Sequence, residues 1–310
     1  MKKFLALLLA LVMSLSLVAC GGGDDTAADG GADAEDGGNA ETAAYQVAMI
    51  TDYGDITDQS FNQTTYEACQ EFCDAEGLQF EYYKPAGDST AERVAQVDAA
   101  VADGYNVIVM PGYAFAETIK QTAELYPDVT FIALDVAQGD LDPNGEGYTL
   151  PSNVYCAVYQ EELCGYMAGY AAVKLGYKHL GVLGGMAVPA VQRFGYGFVQ
   201  GADAAAVEMG IADQVVMEYA YGNQFYGDSD ITAYMDNWYQ TLGVEVVFAS
   251  GGGIYTSAAE AAAKVGGKLI GVDVDQSANI DTYGEGMCVT SAMKGLAETC
   301  LLYTSDAADE

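Results

Sequence analysis

Hydrophobic and polar positions alternate along most of this chain on two length scales. From Ala44 onward, apolar runs of four or five residues are separated by longer amphipathic stretches. The short runs Val47–Ile50, Phe80–Tyr83, Val107–Met110 and Phe131–Leu134 predict strands. Helices are expected between them near Phe61–Glu76, Ala91–Asp103 and Ala116–Leu125. A second set follows, with strands at Val154–Val158, Leu180–Leu183, Val215–Tyr219, Val246–Ala249 and Leu269–Val272. Its helices are expected near Glu161–Lys174, Ala190–Glu208, Ile231–Leu242 and Ile254–Lys264. Short apolar strands alternating with helices imply βαβ units and parallel sheets. The body exceeds one comfortable core, so the expectation is α/β with two doubly wound lobes, 44–152 and 153–299, and a ligand cleft between them.

The termini follow different rules. Met1–Cys20 has a lysine pair, an apolar stretch and then Leu17-Val18-Ala19-Cys20, which resembles a lipobox. It is expected to be a lipoprotein signal peptide, removed to leave acylated Cys20 as a membrane anchor. Residues 21–43 are Gly, Ala and acid-rich and predict a disordered acidic tether. At the other end, Cys300–Glu310 (CLLYTSDAADE) resembles the translation of a transposase sequencing adapter, so it is expected to be an assembly artefact and the second lobe to be truncated near Thr299. Sequencing the locus past the codon for Thr299 tests that.

The formal net charge of −34 excludes a surface suited to phosphate backbones, so no nucleic-acid partner is expected. It favours a neutral or cationic ligand over an anionic one. His179 is the only histidine, which leaves little material for His-based catalysis or multi-His metal sites. No cofactor or metal is expected. Cys69 and Cys73 share a helix face, where a redox or metal pair competes with two small core residues. Asp140 to Gly145 resembles the start of a calcium loop. Pro151 stands where the bidentate glutamate belongs, so a plain turn is expected.

Candidate chemistry gathers in loops that follow strands, where open α/β sheets bind ligands. The loop after Val47–Ile50 carries Asp52, Asp55 and Asp58, with Ser60 placed to cap the next helix and Phe61 at its start. GNQFYGDSD (222–230) offers Phe225. Gly251-Gly252-Gly253 lets backbone amides approach a ligand, and is no phosphate-cradling loop because Gly-Lys-Ser/Thr does not follow. Asp273 and Asp275 end a strand, where a solvated turn or a helix cap is the alternative to a ligand role.

These segments occur in a specific order: D-x-G-x-x-x-D-x-S-F-N (52–62), PGYAF (111–115), Leu134-Asp135, GGMAVPAVQRFGYG (184–197), Phe225, GGG, GVDVDQ (271–276) and TSAMK (290–294). In that order they resemble the basic membrane lipoprotein family, the purine-nucleoside-binding lipoproteins of ABC importers. The resemblance implies a type I periplasmic binding protein and no enzymatic activity. It implies Phe61 and Phe225 as an aromatic pair sandwiching a purine, and Asp52, Asn62 and Asp135 as first-lobe ligand contacts. Asp273 and Lys294 would hold the ribose, with Gly252 lending backbone. Phe225 and Tyr226 both remain candidates for the second stacking ring, because relatives usually carry a Phe-Asp-Asp-like turn here. The implied partners are a purine nucleoside, an ABC permease and, through Cys20, the extracytoplasmic face of the cell membrane. A sugar or autoinducer ligand, a sensor role, and a nucleoside hydrolase with calcium held by Asp52, Asp55 and Asp58 are the competing readings.

Overall fold

A computed structural model describes residues 45–300. The expected signal segment, Cys20, the tether and residues 301–310 lie outside the described residues. The first sheet contains β1 (Gln46–Ile50), β2 (Gln79–Tyr83), β3 (Val107–Pro111), β4 (Thr130–Leu134) and β5 (Val154–Ala157). Every pair is parallel, in the order β2-β1-β3-β4-β5. Helices α1 (Phe61–Glu76), α2 (Thr90–Ala102), α3 (Ala116–Thr122) and α4 (Gln138–Leu141) connect the strands. The central strands read as unbroken apolar runs because both their faces are covered. Ala48, Ile50, Ile108, Met110, Phe131 and Ala133 pack with Val97, Ala100 and Ile119 on one side. Their alternates Val47, Val107, Val109, Ile132 and Leu134 pack with Ala68, Cys69 and Cys73 of α1 on the other. The two cysteines are therefore core residues. No group of His, Cys, Asp or Glu suited to a metal occurs among the described residues.

The second sheet contains β6 (His179–Gly184), β7 (Val216–Tyr221), β8 (Val246–Ser250), β9 (Lys268–Asp273) and β10 (Cys288–Met293), in the order β10-β9-β8-β6-β7. Its layers are α5 (Glu161–Lys174) and α6 (Pro189–Met209) on one face. On the other lie α7 (Ser229–Asp236), a π-helical segment at Asn237–Leu242, α8 (Tyr255–Ala263) and the short α9 (Ser277–Ile280). The two lobes share one strand order, so β4 corresponds to β9 and β5 to β10. In each, the order reverses beside the first strand, and the loops at that switch point face the cleft.

Helices α5 and α6 touch backbone to backbone. A Cβ added at Gly165, Gly169, Gly197 or Gly201 would lie 2.1, 2.0, 2.0 and 1.9 Å from a facing carbonyl oxygen, those of Phe194, Phe198, Glu162 and Tyr166. Only hydrogen at these four positions permits the crossing.

Three expectations need correction. The strand at Val154 pairs with β4, Phe131 opposite Val154 and Leu134 opposite Ala157, so it closes the first sheet and the chain crosses over after it rather than near 150–153. A four-residue edge strand carries no pattern that says which sheet it will join. Second, β10 was not expected as a strand, because Thr290 and Ser291 interrupt its apolar run. Third, residues 296–300 are helical, and Ala297 and Cys300 pack with α1 against the first sheet. The second expected lobe thus returns to the first at this point. Helix α4 occupies the start of the segment after β4, and a turn follows it, in which the Asp142 carboxylate accepts the Glu146, Gly147 and Tyr148 amides. Among the described residues no helix is long and apolar enough to cross a membrane.

Candidate functional site

The strand-end loops of both lobes enclose a cavity of about 730 Å³. Asp52, Phe61, Asn62, Asp135, Phe225, Gly252, Asp273 and Lys294 all line it. Eight positions spread over 243 residues of chain converge because they lie in the loops that follow parallel strands or at the ends of the elements those loops join.

On the first lobe, one Asp52 oxygen accepts the Tyr53 and Gly54 amides at 2.7 and 2.9 Å. The other lies beside Gly112, where φ is 126° and a Cβ would sit 3.0 Å away. Burial raises the Asp52 pKa above the ordinary carboxylate value, against the opposing pull of these amides. Ser60 does not cap α1. Asp58 takes that role, with Oδ1 accepting the Ser60 and Gln63 amides and Oδ2 accepting the amide and side-chain nitrogen of Asn62. A carboxylate three residues before the first helical residue reaches three amides, which a serine hydroxyl cannot match. The Ser60 hydroxyl instead donates to Asp273 Oδ2 of the other lobe at 2.7 Å. Asn62 Oδ1 is buried with no protein partner.

Between the lobes sits a charge cluster. Lys294 directly follows β10 and is 8 % exposed, so it is not an ordinary solvated lysine. Its Nζ lies 2.8 and 3.0 Å from the Asp135 oxygens and 3.1 Å from Glu161 Oε1. Arg193 Nε donates to the other Glu161 oxygen at 2.6 Å. Burial alone would lower the Lys294 pKa, but Asp135, Asp273 and Glu161 outweigh it and hold the pKa above its usual value. Burial raises the pKa of Asp135 and of Asp273, which share that one ammonium. The ammonium also lies 4.9 Å from the ring centres of Phe61 and Tyr159. Asp135 directly follows β4 and Asp273 ends the corresponding strand β9, and both adopt left-handed backbone conformations, φ 62° and 66°. Such conformations cost free energy in residues other than glycine and collect at functional sites.

On the second lobe, Phe225 is half-buried against the backbones of Gly185 and Gly251, while Tyr226 is 58 % exposed. The Gly253 amide donates to the Phe225 carbonyl at 2.9 Å, tying the GGG turn to that loop. Gly252 has φ 56°, and a Cβ there would lie 2.9 Å from the Phe225 carbonyl. Asp275 is exposed and accepts the Ser277 amide at 3.0 Å, which is the expected cap alternative. Sequence reading missed three contributors. Glu161 opens α5 as an ordinary first-turn acid. Gln59 lies beside the expected residues. Ser250 ends β8 with a buried hydroxyl that lines the cavity and has no protein partner.

The site therefore offers aromatic surface from both lobes, buried carboxylates in excess of cations, and the unpaired Asn62 and Ser250 atoms. A ligand carrying hydroxyl or N–H donors and a flat apolar face fits this chemistry, and an anion does not.

The buried carboxyls also set a pH dependence. Asp52, Asp58, Asp135 and Asp273 have folded pKa values raised by burial, so the stability they contribute is present below the unfolded value and is lost as pH rises through the folded one. Asp55, Asp142, Asp228 and Asp275 are lowered by hydrogen bonds, and their contribution is lost only as pH falls below the ordinary carboxylate range. Acidification also relieves repulsion within a chain of net charge −34. The thermal midpoint measured by calorimetry should be higher near about pH 5 than near about pH 8. A midpoint that rises from about pH 5 to about pH 8 would contradict this assignment.

The family model described as "ABC transporter substrate-binding protein PnrA-like" matches residues 45–310. The chain is 26% identical over 290 residues to a "CD4+ T-cell-stimulating antigen" of Listeria innocua, covering 89% of this chain and 74% of that protein. It is 25% identical over 244 residues to the "ABC transporter nucleoside-binding protein BmpA" of Lactococcus lactis, covering 74% of this chain and 64% of that one. Among solved structures, an ABC transporter solute-binding protein of Aeropyrum pernix superposes with a TM-score of 0.71 at 23% identity, over 86% of this chain and 71% of that one.

Proposed function

The chain belongs to the PnrA-like family of ABC transporter substrate-binding proteins, and from that premise we propose that its interlobe cavity takes a purine nucleoside. Proteins of this family bind a substrate for a transporter and are not enzymes, so the hydrolase alternative falls. The Lactococcus relative is named for nucleoside binding, which supports the ligand class. The observation that carries the proposal is one aromatic from each lobe, Phe61 and Phe225, lining a single cavity that also holds Asp135, Asp273 and Lys294.

Base–aromatic stacking contributes about 1–3 kcal/mol per base and tolerates different purines. A ribose diol supplies the donors that the Asp273 and Asp52 carboxylates accept. Lys294 spends its charge on Asp135 and Glu161, so its part in ribose binding is to hold these carboxylates in place while donating at the cavity edge. The half-buried setting of Phe225 favours it over Tyr226 as the second stacking ring. The Asn62 and Ser250 atoms would gain the partners they lack. The nucleoside would then pass to an ABC permease, with the protein held at the extracytoplasmic membrane face through acylated Cys20.

Calorimetric titration with guanosine, adenosine, inosine, uridine and ribose tests the reading. Purine nucleosides should bind and free ribose should stay silent. Phe225→Ala and Phe61→Ala should each weaken guanosine binding by about tenfold or more. Wild-type affinity in both variants would remove the sandwich, and silence towards every nucleoside would remove the ligand.

A further inference from the structure

The loop between β1 and α1 makes a set of contacts with the second lobe that involve protein atoms alone. Ser60 Oγ donates to Asp273 Oδ2 at 2.7 Å. Gln276 Nε2 donates to the Gln59 carbonyl at 3.1 Å, and the Tyr255 hydroxyl donates to Gln59 Oε1. Ser60, Tyr255, Asp273 and Gln276 are all buried. Gln59 holds a left-handed backbone conformation, φ 54°, with its amide donated to Gln63 Oε1. On the facing side, Gln276 is held by bonds within its own lobe. Its Oε1 accepts the Val272 amide at 3.0 Å and its own amide donates to Ser291 at 3.1 Å.

The position of these bonds gives them leverage. The chain crosses between lobes beside β5 and beside β10, the outer strands at one edge of each sheet. Strand β1 stands three places from β5, about 14 Å at ordinary strand spacing. A bond at that distance from the crossovers resists reopening more effectively than one beside them, and it forms only when the lobes meet.

We infer that Gln59 and Ser60 form a clasp that sets the lifetime of the closed state, and that Ser60 also positions Asp273, fixing one oxygen so that the other faces the cavity. The clasp itself is independent of ligand identity, and its effect on nucleoside release rests on the function proposed above. Tyr255→Phe removes one hydroxyl without changing shape. Ser60→Ala leaves Asp273 with one buried oxygen unpaired. A hydrogen bond to a charged group is worth about a tenfold change or more in an equilibrium. Its loss should therefore raise the guanosine off-rate by about tenfold in Ser60→Ala, with a smaller rise in Tyr255→Phe. The on-rate should stay within about threefold of wild type, since clasp bonds form after encounter.

The experiment pairs stopped-flow guanosine kinetics with interlobe distances from single-molecule fluorescence, using dyes on the outer helices of the two lobes, with and without guanosine. Both variants should populate closed distances less than wild type, and their off-rates should rise in step. Distance distributions and off-rates matching wild type in both variants overturn the clasp. A general loosening of the fold is separated by the on-rate, which it would also change. If guanosine does not bind, the nucleoside reading fails, while the distance comparison without nucleoside still decides the clasp. Should Ser60→Ala fail to fold, Tyr255→Phe carries the same comparison.

Discussion

Lys294→Met should destabilise the protein by about 3–5 kcal/mol and abolish measurable nucleoside binding. Among the described residues the ammonium is the only cation bonded to Asp135, and it shares Glu161 with Arg193. Removing it leaves Asp135, 12 % exposed at its side chain, as an uncompensated charge within reach of two further buried carboxylates. The pair need not stabilise the fold relative to a well-packed apolar pair, but breaking one half of it is costly because the other half stays buried. Proton uptake by Asp135 should absorb part of the cost, so the deficit should shrink as pH falls. Urea denaturation at two pH values measures both effects. The control is Lys264→Met, which breaks the exposed pair with Asp236 and should cost under about 1 kcal/mol. A Lys294→Met protein as stable as the Lys264→Met control would remove the cluster from the account of the fold.

The contrast between these lysines shows what the sequence could convey. Strands β1, β3, β4, β8 and β9 were legible because strands covered on both faces read as apolar runs, and their ends fix the loops that follow. Asp52, Asp135 and Asp273 sit directly after or at the end of such runs, so their convergence follows from parallel topology. Lys294 was legible as a position only through the ordered motifs; nothing local distinguishes it from Lys264. Ser60 and Glu161 were opaque for a related reason. The partner of Ser60 lies 213 residues away, and that of Glu161 sits beyond a strand whose sheet the pattern does not specify. The cap assigned to Ser60 failed because Asp58 competes for the same amides with a stronger acceptor. Local rules place a residue on an element, while pairing across a cleft depends on how two lobes meet.

Gly197→Ala should cost about 3 kcal/mol or more, at the upper end for one added methyl, and should weaken nucleoside binding although no ligand contact is altered. Its Cβ would stand 2.0 Å from the Glu162 carbonyl oxygen and 2.8 Å from the Glu162 Cα, so neither a rotamer change nor a flexible side chain relieves the overlap. The helices must separate. Because the clash falls in the first turn of α5, separation displaces Glu161, whose carboxylate bridges Lys294 and Arg193. Arg193 lies on α6 one turn before Gly197, so the same displacement stretches the bridge from both ends. Gly201→Ala clashes as closely, 1.9 Å from the Tyr166 carbonyl, but a turn further from the cleft. It should lose comparable stability with a smaller loss of binding. Gly139→Ala meets nothing within 4 Å and should stay within about 0.5 kcal/mol of wild type. Fluorescence of Trp238, the single tryptophan, follows unfolding in all three, and guanosine titration follows the site. Equal losses of affinity in Gly197→Ala and Gly201→Ala would mean that the crossing acts through global stability alone. A graded loss would show that the close approach of α5 and α6 is what holds Glu161 against Lys294.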